Sequence, residues 1–127
     1  MKNKWLDRRV AKPGPYLTLV LSEKELDLTV KKLTKEKLNF PISGATCFTL
    51  ENNDGDLCAV IALSYKVQNH CGAIEIAGLL VHEAVHVWQA YARDVINERD
   101  PSSEQEAYAI QGISQELLAE YARRITK

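Results

Sequence analysis

Apolar residues recur along this chain in two rhythms, one suited to strands and one to helices. Tyr16 to Leu21 (YLTLVL) is a β-rich run of strand length. Ser22 then meets Glu25 three residues on, a capping-box spacing that opens a helix. Leu26, Val30 and Leu33 follow at helical spacing, with Lys31, Lys32, Lys35 and Lys37 turned outward as a solvated face. Two further strand-like runs, Ala45–Glu51 and Asp56–Leu63, flank Asn52-Asn53-Asp54-Gly55, whose Asp-Gly pair signals a hairpin. The second run is almost wholly apolar and reads as a buried inner strand. Lys66 to Gly72 reads as a short polar link. From Ala73 to Ala92 the spacing of Ile74, Ala77, Leu80 or Val81, Ala84, Trp88 and Tyr91 predicts a largely buried helix. A polar connection covers Arg93 to Pro101. A last helix runs from Ser102 or Ser103 to about Arg124, with Ile110, Ile113, Leu117, Tyr121 and Ile125 inward. The expected fold is α+β: a small sheet packed on the central helix, with the carboxy-terminal helix beside it. Residues 1–15, closed by Pro13-Gly14-Pro15, read as a tail before a single domain at 16–127.

Composition narrows the possibilities. The chain has 127 residues, 46% hydrophobic and 26% charged, as in an ordinary folded domain. The net charge of -1 gives no support to nucleic-acid binding. Lys2, Lys4, Arg8, Arg9 and Lys12 form a basic cluster on the tail, and its binding of nucleic acid is the weakest reading of the chain. No apolar stretch is long enough to span a membrane, and the amino end lacks the apolar core of a secretory signal. Three cysteines without CxxC spacing argue against a disulfide framework and for a reducing, cytoplasmic setting.

The chemistry concentrates in His82-Glu83-Ala84-Val85-His86, an H-E-x-x-H. Residues four apart on a helix share a face, so the two imidazoles can meet one metal ion. Glu83 stands beside that face. It can take a proton from a water on the metal and pass it to a leaving amine. A third ligand is needed, and the sequence offers Glu106, Glu104, His70, Asp94, Glu98 and Asp100. Glu106 heads the apolar stripe of the last helix and is the preferred candidate; its competing use is to close a capping box with Ser103. Glu104 falls on a wetter face. His70 lies about three helical turns, or roughly 16 Å, upstream of His82, too far to ligate. Gly78, one turn before His82, reads as a place of tight helix packing, and Trp88 as core. Tyr65, Tyr91 and Tyr108 are possible donors to an oxyanion, none preferred.

These segments, VHEAVHVWQ (Val81–Gln89) and EQEAYAIQ (Glu104–Gln111), resemble the zincin metallopeptidases of the gluzincin type. They are also similar to small metallopeptidases encoded by phages and prophages. The resemblance covers roughly residues 79–113. It implies one zinc ion held by His82, His86 and Glu106, with Glu83 as general base. It also implies a sheet whose edge strand holds a peptide or protein substrate in extended form. Two features depart from larger gluzincins: Ile110 stands where many have an aspartate four residues after the glutamate, and the large carboxy-terminal domain is missing. The expected activity is zinc-dependent peptide-bond hydrolysis. The alternative is a zinc-stabilised structural or interaction protein, which a fourth protein ligand would favour. Oligomeric state is not legible.

Overall fold

Seven elements follow one another in the computed structural model: β1 (Tyr16–Val20), α1 (Glu23–Val30), β2 (Ala45–Glu51), β3 (Leu57–Leu63), α2 (Tyr65–His70), α3 (Ala73–Asp94) and α4 (Ser103–Ile125). The described residues are 5–6, 15–95 and 103–126, without the side chains of 103 and 104. The class is the expected α+β. The sheet has the order β1-β3-β2, with β1 parallel and β2 antiparallel to β3.

The central strand, LCAVIAL, is buried at all seven positions. That is why its sequence does not alternate: it has a core on each side. Leu57, Ala59, Ile61 and Leu63 face α3 and α4, packing with Leu80, Val87, Trp88, Ile113 and Leu117. Val60 and Ala62 face α1, packing with Leu26 and Val30. The sheet is therefore the middle of three layers, and β2 is left at one edge. At the other edge Leu6 is buried, and its N–H donates to the Leu17 carbonyl at 2.6 Å. This part of the predicted tail thus belongs to the fold. The basic cluster Lys2, Lys4, Arg8, Arg9 and Lys12 lies outside the described residues.

Local chemistry accounts for the element ends. The Ser22 hydroxyl accepts from Glu25 N at 3.1 Å and starts α1. The reciprocal half of the expected capping box is absent; Glu25 Oε1 instead accepts from Leu21 N at 2.9 Å. The hairpin turns through Gly55 at φ 81°, a left-handed position at which a side chain is strained. The Asn52 amide oxygen accepts from the backbone N–H groups of Asp54 and Asp56, both at 2.9 Å.

Five expectations need correction. Residues 66–70 of the polar link belong to α2 (Tyr65–His70), because Ser64 caps it by accepting from Val67 N at 3.1 Å. Leu33 lies past the end of α1, which stops at Val30. Ile74 is 86% exposed, and the inner face of α3 is built on Ile76, Leu80, Ala84, Val87 and Trp88. A Cβ on Gly78 would meet nothing within 4 Å, so no close helix contact requires a glycine there. On α4, Ile113 and Leu117 are buried as expected, while Ile125 is 56% exposed.

One long-range tie stands out. Arg124, near the end of α4, reaches Glu25 at the start of α1 through Nη2. Glu120 lies 4.0 Å from Arg124 Nη1 and also accepts from Arg123 Nε at 2.9 Å. The side chains of Arg124 and Glu120 are 7% and 3% exposed, so charge is buried with charge.

Candidate functional site

His82, Glu83 and His86 lie in the middle of α3, whose amino end is set by Glu75: its Oε1 accepts from Gly72 N at 2.9 Å. The one-turn spacing brings the imidazoles together edge to face, with ring centroids 4.8 Å apart and planes at 81°. Their Nε2 atoms are 3.2 Å apart. Two imidazole nitrogens on one tetrahedral zinc, each 2.0–2.1 Å from it, stand roughly 3.3 Å apart. The pair therefore fits a shared cation. Without one, the same distance is a hydrogen bond between one protonated and one bare nitrogen. His86 Nδ1 lies 3.1 Å from Gln89 Oε1. Donation to that oxygen puts the proton on Nδ1 and leaves Nε2 with its lone pair outward, the tautomer a metal needs.

Glu83 sits 100° round the helix from His82 and faces the sheet. It is 4% exposed, while both histidines are exposed. Burial raises its carboxyl above the ordinary range, and the neighbouring His82 and His86 oppose the rise. A carboxylate so placed is a better base than one in water. Across from it stands Cys47 of β2. Burial, with the charge of Glu83, pushes that thiol up to about 12. At pH 8 only about one such thiol in ten thousand is ionised. Iodoacetamide at pH 8 is therefore expected to alkylate Cys71 well before Cys47, read by peptide mass spectrometry; faster labelling of Cys47 would contradict this environment.

Between α3 and β2 lies an open cavity of about 420 Å³, lined by Ala45, Cys47 and Thr49 on one side and His82, Glu83 and His86 on the other. The backbone of β2 is oriented for use here. Ser64 N donates to Gly44 O at one end of the ladder, and Asn52 N to Asp56 O at the other. With Ala45 opposite Leu63 and Glu51 opposite Leu57, these bonds fix the phase. Residues 46, 48 and 50 bond inward to β3. The N–H and C=O groups of Ala45, Cys47, Thr49 and Glu51 face away from β3, and among the described residues no further strand pairs with them.

Glu106 comes to α3, where its Oε2 accepts from Trp88 Nε1 at 2.9 Å. Its contact in this structure is thus two residues on from His86, and not the imidazole pair itself. Among the described residues no three His, Cys, Asp or Glu side chains are grouped as a metal site. Ser103 opens α4 as its first residue, with its side chain outside the described set, as are Glu98, Asp100 and the Glu104 side chain. His70 is exposed at the end of α2. Asp94 is taken by Arg93.

Three residues of the site escaped the sequence reading. Gln89 and Arg93 lie three and seven positions after His86, so helical spacing alone could have placed them on its face. Cys47 had no such signal, because strand register brings it there. Among the described residues, no helix is long and apolar enough to cross a membrane. No protein-family model matches this chain, and no curated protein or solved structure matches it significantly.

Proposed function

We propose that the protein is a zinc-dependent peptide hydrolase, with His82 and His86 as metal ligands, Glu106 as the third and Glu83 as general base. The observation that carries this reading is the pair of Nε2 atoms 3.2 Å apart beside a buried carboxylate, all opening into one groove. Zinc held there would supply a Lewis acid that polarises the scissile carbonyl and acidifies water. The chain's own groups do the rest. Glu83 accepts the proton of the attacking water and delivers it to the leaving nitrogen. The open N–H and C=O groups of β2 hold an extended peptide by adding it as a further strand. Gln89 fixes the tautomer of His86.

In this reading Glu106 would keep one oxygen on the Trp88 indole and turn the other to the cation, with Trp88 orienting it. Trp88→Phe is expected to weaken zinc binding about 10–100-fold, the usual effect of losing a partner behind a ligand. Competition with a chromogenic chelator measures it. An unchanged affinity would remove Glu106 from the ligand set.

The hydrolase reading is tested by metal analysis and cleavage of a peptide library by wild type and Glu83→Gln. Zinc in both and cleavage only by wild type supports it. Zinc in both and cleavage by neither returns the protein to the structural or interaction role.

A further inference from the structure

Arg93 lies two turns beyond His86 on the same face of α3, about 10.5 Å further along the axis. Its side chain lines the cavity that holds His82, Glu83 and His86. At that end a second cavity of about 220 Å³ continues between Thr49–Glu51 and Asp94–Val95. The carboxy-terminal end of β2 therefore lies beside the carboxy-terminal end of α3, and the two border one groove in the same direction. A peptide added antiparallel to β2 runs with its amino-terminal part toward Arg93. At about 3.3 Å per residue, Arg93 faces a residue roughly three positions from the imidazole pair.

We propose that Arg93 is the specificity-determining residue of this groove, selecting peptides with an Asp or Glu about three residues to the amino side of the bond cleaved. The inference rests on the reading of the groove as a peptide site. Its support is in how the guanidinium is presented. Arg93 offers its fork through Nε and Nη2, and the Asp94 carboxylate now fills it, at 2.8 and 3.1 Å. The fork is thus oriented to receive a carboxylate in two-point fashion. Both side chains are largely exposed, 68% and 47%, and such a pair is weak enough for an incoming carboxylate to displace Asp94. Among the described residues Arg93 is also the one cationic side chain lining either cavity.

The test has a cleavage arm and a binding arm. Zinc-loaded wild type is given a peptide library, and cut sites are mapped by mass spectrometry. Asp and Glu should be enriched about tenfold at one position two to four residues before the cut, the size of one charge-assisted hydrogen-bonded contact. Arg93→Gln should flatten that preference, and Arg93→Glu should turn it toward Lys and Arg. In the binding arm, zinc-loaded Glu83→Gln is titrated with fluorescent peptides carrying Glu, Gln or Lys at that position, or at each position in turn if no cut is seen. The Glu peptide should bind about tenfold tighter than the Gln peptide, and adding Arg93→Gln should abolish the difference. Equal binding, undetectable binding, or a preference for Lys carried by Glu51 and Asp94 overturns the proposal. So does a preference that vanishes when the peptide's carboxy terminus is amidated, since the carboxylate read would then be the terminus. If wild type cuts nothing while Arg93-dependent binding persists, the hydrolase reading fails, and Arg93 stands as the carboxylate-selecting residue of a peptide-binding groove. If wild type cuts without regard to Arg93, the reverse holds.

Discussion

Glu83→Gln is expected to lower peptide cleavage by roughly 10²- to 10⁴-fold, the usual contribution of a positioned general base, while zinc content stays the same. Glutamine has the size of glutamate and fills the same slot between α3 and β2. It cannot take a proton from water at neutral pH. The metal donors in this reading are His82, His86 and Glu106, so the metal should be retained. Glu83 is 4% exposed and lines the groove beside the two imidazoles, where a water on the metal would stand. Rates on a cleaved peptide, with zinc measured on the same samples, decide the matter. A loss of zinc in step with a loss of rate would mean that Glu83 is itself a ligand, and the assignment of roles would have to be redrawn.

The second large effect concerns the fold. Arg124→Ala is expected to destabilise the protein by about 3 kcal/mol, the low end of the cost of removing one partner of a buried ion pair. For a chain of this size that lowers the melting temperature by about 10 °C. The substitution leaves Glu120, 3% exposed, and Glu25, 17% exposed, without the cation that sits between them. Arg123 still holds Glu120, and Leu21 N still donates to Glu25, which keeps the loss near the low end. Arg124→Lys keeps the charge without the fork and should recover part of the loss. Thermal denaturation of the three proteins measures it. A loss under about 1 kcal/mol for the alanine variant would mean that water reaches these carboxylates.

Much of the scaffold is legible in the sequence, because local signals agree there. The bounds of β2, Ala45–Glu51, match the expected run, since the Asn52–Gly55 turn ends the strand. The Ser22 cap is likewise local. The misses share a cause. α2 is only six residues, and its start depends on the Ser64 hydroxyl, which the apolar pattern does not register. Ile74 shares helical spacing with Ala77 and Val81, but the buried face is set by Ile76 and Leu80, about 200° round the helix from Ile74 in the case of Ile76, and this leaves Ile74 86% exposed. Glu25 reads as a capping partner for Ser22, and only the structure reveals a partner 99 residues away.

The candidate site divides in the same way. His82, Glu83 and His86 are legible together, because five consecutive residues of a helix fix their mutual placement. Anything supplied by another element is less so. Cys47 and Thr49 reach the groove through strand register. Glu106 depends on how α4 docks on α3, and the Trp88 indole that receives it was legible only as core.

The open edge of β2 has a consequence for handling the protein at high concentration. Its outward amides at Ala45, Cys47, Thr49 and Glu51 suit another chain of this kind as well as a peptide, and unpaired edges invite such self-pairing. Two molecules joined there would merge their sheets into one and hide both grooves. Turnover per molecule should then fall as the protein is concentrated and return on dilution, in step with light scattering across the same series.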